Sequence, residues 1–148
     1  MRTLTTLSLL AVFAATPLAW AQDTPVGLWK SIDDASGKPT ALIRITDTGG
    51  ELQGRIEKLF RTPEEDQNPR CALCQGDRKD QPITGMTILN GLKRDGNNEY
   101  AGGEILDPKN GKVYKSKLMV REGGRKLEVR GYIGMPMLGR SQVWLRQE

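Results

Sequence analysis

The chain has 148 residues, 22 basic and 18 acidic side chains, a formal net charge of +4 and no histidine. The missing imidazole excludes Ser-His-Asp triads, Cys-His nucleophile pairs and histidine-ligated zinc. The small positive balance is spread as alternating signs, as in RIEK (55–58) and REGGRK (121–126). A nucleic-acid binder carries a basic stripe with interleaved aromatics instead, so nucleic acid is not expected as a partner.

Residues 1–21 read as an export leader. Arg2 supplies a positive start, Leu4 to Ala15 a mostly apolar stretch, and Pro17 a helix breaker. Ala19-Trp20-Ala21 has the small-x-small pattern that places cleavage after Ala21. The rival is an uncleaved anchor, because no charge interrupts Thr3 to Ala21. Hydroxyl side chains and Pro17 make that segment a poor match to the roughly 20 apolar residues of a membrane span. The expectation is a periplasmic or secreted mature chain, residues 22–148, forming one domain with no transmembrane span. Losing Arg2 leaves it at 21 basic against 18 acidic side chains, enough for weak attraction to an anionic envelope surface.

Beyond Gln22 the pattern is short alternating runs between turn signals. TPVGLWKSI (24–32) reads as a first strand with Val26, Leu28 and Ile32 on one face. TALIRIT (40–46) and ELQGRIEKLF (51–60) flank Asp47-Thr48-Gly49-Gly50, a hairpin connection. Residues 61–82 carry three prolines, many charges and little periodicity, which makes a long loop that is either functional or tied down. ITGMTILNGLK (83–93) fits either a strand or a helical turn. EYAGGEIL (99–106), KVYKSKLMV (112–120) and KLEVRGYI (126–133) form a meander; GMPMLG (134–139) is an apolar loop; RSQVWLR (140–146) is the last strand. About eight strands at regular spacing predict an all-β, antiparallel up-and-down barrel in preference to a sandwich. Gly54, Gly102, Gly103 and Gly131 suit the bulges and bends of barrel closure.

Gly27-Leu28-Trp29 is similar to the Gly-x-Trp motif of lipocalins and related calycins, which pair that tryptophan with a basic residue near the end of the barrel. Arg146 in VWLRQE occupies that place. In an even-stranded barrel the start of the first strand lies beside the end of the last, so Gly27, Trp29 and Arg146 are expected to meet at the closed end. The alternative is an ordinary core Trp29 with a solvated Arg146. Segments VGLWKSIDDASGKPTALIRI, CALCQGDRKDQPITGMTILNGL, YAGGEILDPKNGKVYKSKL and KLEVRGYIGMPMLGRSQVWLR resemble the exported bacterial family DUF 2147 over nearly the whole mature chain. That resemblance implies a signal peptide and a lipocalin-like barrel, with no established activity.

Cys71 and Cys74 are the only cysteines. A structural zinc site needs about four ligands; Asp77 and Asp80 could complete only an unusual set, and no metal is expected. A thioredoxin-type pair opens a helix whose dipole lowers the thiol pKa, and no such helix is evident here. A disulfide that clamps the long loop is the favoured reading, with a thiol-disulfide protein as the lesser one. Asp33-Asp34 and Glu64-Glu65-Asp66 read as solvated turns, and no serine has an activating partner, so neither an enzyme nor a cofactor is expected.

Alternation places Tyr114, Ser116, Leu118, Val120, Leu127 and Val129 inside the barrel as candidate ligand-binding residues. Met135, Pro136, Met137 and Leu138 line a portal, touch a membrane or partner, or cap the core. The expected function is non-catalytic binding of a small apolar or amphipathic molecule. The alternative is a structural or interaction protein with a solid barrel that contacts an envelope component.

Overall fold

The computed structural model describes residue 15 and residues 23–148. The leader read at residues 1–21 thus lies, Ala15 apart, outside the described residues. Eight strands follow one another: β1 (Gly27–Ile32), β2 (Pro39–Thr48), β3 (Glu51–Leu59), β4 (Thr87–Arg94), β5 (Glu99–Asp107), β6 (Lys112–Arg121), β7 (Lys126–Tyr132) and β8 (Arg140–Arg146). Each pairs antiparallel with its neighbour in the chain, and β8 pairs back onto β1, so the sheet closes into a barrel and has no free edge. Among the described residues, no helix is long and apolar enough to cross a membrane.

Local chemistry explains the joints. Gly49 and Gly50 both take positive φ, 62° and 90°, which matches the twist a two-residue hairpin needs between β2 and β3. The Asp47 carboxylate accepts the Gly50 N–H at 2.8 Å. The ambiguous 83–93 segment enters the barrel as strand β4 from Thr87. Register shifts fall at Gly54 and between Tyr100 and Gly103, where the sheet must bend to close.

The inward faces follow the expected alternation on β6 and β7. On β1, where the sequence left the inward face open, the inner face carries Trp29 and Ser31, 0% and 4% exposed. Both faces of β1 are mixed, and pairing to β8 rather than local hydrophobicity selects the one that turns inward. Trp29, Ile45, Leu52, Leu92, Leu118 and Leu127 are buried together and pack the core. Burying each contributes about 1.5–3 kcal/mol relative to exposure.

The long 60–86 connection is folded, not slack. Cys71 and Cys74 form a disulfide with Cα atoms 5.3 Å apart, and both are buried. The Cys71 N–H donates to the Gln81 carbonyl at 2.8 Å, and Arg70 bridges to Pro82. No activating helix starts at the pair; the nearest helical turn is the single 3-10 turn Gly76–Arg78.

Candidate functional site

Antiparallel closure sends alternate connections to opposite ends. Loops 33–38, 60–86, 108–111 and 133–139 gather at one end of the barrel, and the turns 49–50, 95–98 and 122–125 at the other.

The second end is plugged. Trp29 and Arg146 are register partners on β1 and β8, and the guanidinium lies 4.3 Å from the indole centroid. Arg146 also donates to the carbonyls of Thr24, Gly124, Val26 (2.9 Å) and Glu148 (3.1 Å). The Trp29 Nε1–H donates to Pro25 O at 2.7 Å. Burial pushes the Arg146 pKa below its ordinary value, and the ring of carbonyl acceptors offsets the lost water. Gly27 sits at φ 140°, and a Cβ there would strike the guanidinium. Gly27, Trp29 and Arg146 therefore converge, as the motif implied, to close the barrel.

The first end is open. A cavity of about 880 Å³ enters between the loops. Its inner wall is apolar and includes Ile43, Ile56, Ile88, Ile105, Val129 and Trp144. The polar groups among them are satisfied: Ser31 Oγ bonds Thr40 Oγ1 at 2.6 Å, and Trp144 Nε1–H donates to Gln142 Oε1 at 3.3 Å. Charges gather at the rim, mostly in pairs. Lys109 meets Asp33 at 3.3 Å, Arg140 grips Asp34 through two nitrogens, and Arg61 stands 4.0 Å from Glu65. The acidic pair expected to be solvated is thus engaged at the mouth. The Ser36 N–H, then Lys109 and the Ala35 N–H, hold the Asp33 carboxyl down at about 2. The Arg140 guanidinium likewise lowers Asp34.

All six inward candidates belong to the barrel interior at different depths. Tyr114 and Val129 line the cavity, whereas Ser116, Leu118, Val120 and Leu127 are buried and do not line it. Ser116 Oγ is buried without a hydrogen-bond partner among the described residues. Met135, Pro136, Met137 and Leu138 lie in the β7–β8 loop, with a 3-10 turn over Pro136–Leu138, and Leu138 reaches the cavity rim. Met135, Met137 and Leu138 are exposed.

Ser31, Asp33, Arg140, Gln142 and Trp144 were missed as lining residues. Period-two alternation counted from Trp29 and back from Arg146 would have found them. Once that pair is inside, every second residue along β1 and β8 must be too.

The Cys71–Cys74 segment packs behind one side of the mouth. Gly111, at φ 72° in the β5–β6 turn, lies so close to the Leu73 carbonyl that any Cβ would collide with it. Pro69, Arg70, Pro108 and Lys109 from these two loops all line the cavity. The disulfide thus braces the rim from behind, and both cysteines are joined in it.

A solved structure described as "Protein HP1028 from the human pathogen Helicobacter pylori belongs to the lipocalin family" has a similar fold, with a TM-score of 0.70 at 17% sequence identity. The similarity covers 83% of this chain and 82% of that one, and at this identity it speaks to fold alone. A search of curated proteins gave no match. The family described as "Uncharacterized protein conserved in bacteria (DUF2147)" matches residues 27–146, from the glycine of the closing motif to its arginine, and the chain belongs to that family.

Proposed function

We propose that the protein is an exported, non-catalytic binding module that takes a small, partly apolar molecule into the open half of its barrel. The observation that carries this is the cavity itself. At about 880 Å³ it falls within the roughly 300–1,000 Å³ of small-molecule sites. An apolar inner wall under a charged rim suits a ligand whose hydrocarbon part descends toward Trp144 while its polar end stays among the rim pairs. Export is supported by the leader pattern at residues 1–21. A non-catalytic role is supported by the absence of histidine from the sequence and by the lack of a helix starting at the Cys71–Cys74 pair, which a reactive thiol would use.

Native mass spectrometry of the chain isolated from its own cells tests the reading. A bound mass that leaves on mild activation, and that an apolar fluorophore displaces with a change in Trp144 emission, is the expected result. A chain that carries no such mass and takes up no apolar probe would favour the alternative, a structural protein whose outer surface meets an envelope component.

A further inference from the structure

We propose that the β7–β8 loop docks the mouth of the barrel onto an anionic lipid surface. Among the described residues, seven large apolar side chains are exposed, and four of them, Ile133, Met135, Met137 and Leu138, belong to this one loop. Exposures of 55–74% on neighbouring residues make a patch, not scattered singletons. The loop is also held in shape. The Arg130 guanidinium donates to the carbonyls of Pro136 and Gly139 and to Ser141 Oγ, so the apolar side chains are displayed on a fixed turn.

Charge selects the occupant. Beside the loop, Lys115, Lys117 and Arg130 alternate with the inward residues of β6 and β7 and so face outward. Lys117 and Arg130 are direct register partners, an arrangement of like charges that is unfavourable without a counter-anion. Among the described residues, none of the three takes part in an ion pair; Glu104 stands across from Lys115 on β5 without forming one. Arg140, by contrast, is already neutralised by Asp34. Apolar side chains flanked by the Lys115 and Lys117 ammonium groups, with the Arg130 charge held behind the loop by its carbonyls, match the boundary between acyl chains and anionic headgroups. A second copy of the chain fits less well, because a self-complementary contact would bring the same cations together. Ile133 and Leu138 also line the cavity, so docking would turn the mouth toward the membrane.

The test is co-sedimentation of the full chain with vesicles of phosphatidylglycerol mixed with phosphatidylcholine, against phosphatidylcholine alone. The expected result is binding to the anionic vesicles that weakens with salt. It should fall by about tenfold or more in Met135→Ser/Met137→Ser/Leu138→Ser, and also in Lys115→Glu/Lys117→Glu, with circular dichroism unchanged. A Leu138→Trp variant reports on the loop itself, whatever residues 1–21 contribute. Its added emission should shift to the blue on anionic vesicles and be quenched by brominated lipid. Equal binding by the triple-serine variant, Leu138→Trp emission indifferent to vesicles, or a dimer in sedimentation that the serine substitutions dissolve would each overturn the proposal. None of these outcomes depends on whether the cavity takes up a ligand.

Discussion

The Lys109 ammonium stands 3.3 Å from the Asp33 carboxylate, and this contact joins two loops half the ring apart across the mouth of the barrel. Asp33 extends β1 beyond Ile32, while Lys109 sits in the β5–β6 turn that Leu73 holds from behind. On the proposed binding function, the pair is expected to act as a light latch over the cavity. Lys109→Ala is expected to raise both the uptake and release rates of an apolar fluorophore in stopped flow, leaving affinity nearly unchanged. Thermal stability should hardly move, because an exposed ion pair is screened by solvent. The carboxyl of Asp33 is held at about 2, below its ordinary value near 3.9. A depressed carboxylate keeps its partner above the ordinary value and loses it as the pH falls from about 4 through about 2. Uptake rates of the unsubstituted chain should therefore be flat with pH through the neutral and weakly acidic range. A Lys109→Ala rate equal to that of the parent would remove the latch.

Arg146 is the densest single contact at the closed end. Arg146→Ala is predicted to lose about 3 kcal/mol in urea unfolding, through the indole contact and the charged hydrogen bonds to carbonyls. Arg146→Lys should recover less than half of that, because an ammonium lacks the planar fork that reaches several acceptors at once. Full recovery by lysine would mean that charge alone, and not geometry, holds the plug.

Filling the cavity should separate binding from folding. Val129 lines the open half from β7, so Val129→Phe places its added bulk in existing space. Stability should stay within about 1 kcal/mol, while probe binding measured by fluorescence titration falls at least several-fold. Destabilisation with binding intact would show that the void closes around the ring and that the ligand sits elsewhere.

The disulfide and the turn it leans on should act as one device. A four-residue ring gives about 2 kcal/mol at most by chain entropy, so Cys71→Ala/Cys74→Ala is expected to cost no more than that. Hydrogen exchange should rise in residues 69–82 and 107–111 together. Gly111→Ala, which forces the Leu73 carbonyl away, should release the same amides. Combining the two should add less than their sum, as for residues in one contact. Strict additivity would show that the two loops are independent.

Ser116→Ala removes a buried hydroxyl that has no hydrogen-bond partner among the described residues. Its desolvation is uncompensated by protein, so the variant is predicted to gain about 1 kcal/mol of unfolding free energy. A loss of similar size would mean that the hydroxyl is satisfied in solution.

The strands β6 and β7 were legible because Ser116, Leu118 and Val120 alternate with Lys115 and Lys117, and Leu127 and Val129 with Glu128 and Arg130, which leaves one orientation. The terminal pairing of Trp29 with Arg146 was legible through a motif and an even strand count. The face of β1 was not, since a mixed strand takes its orientation from the partner it zips against.

By itself the sequence determined an antiparallel barrel of about eight strands, because period-two patterning and turn chemistry are local properties, and it left a single partner for each cysteine; the closing pair was implied by the resemblance to the Gly-x-Trp motif. Where the interior is solid and where it is hollow was decided only by the tertiary structure. That boundary depends on how side chains from strands far apart in the chain meet at each level of the barrel. Asp33 and Lys109 are 76 residues apart, and nothing along the chain between them encodes that the ring would bring them face to face.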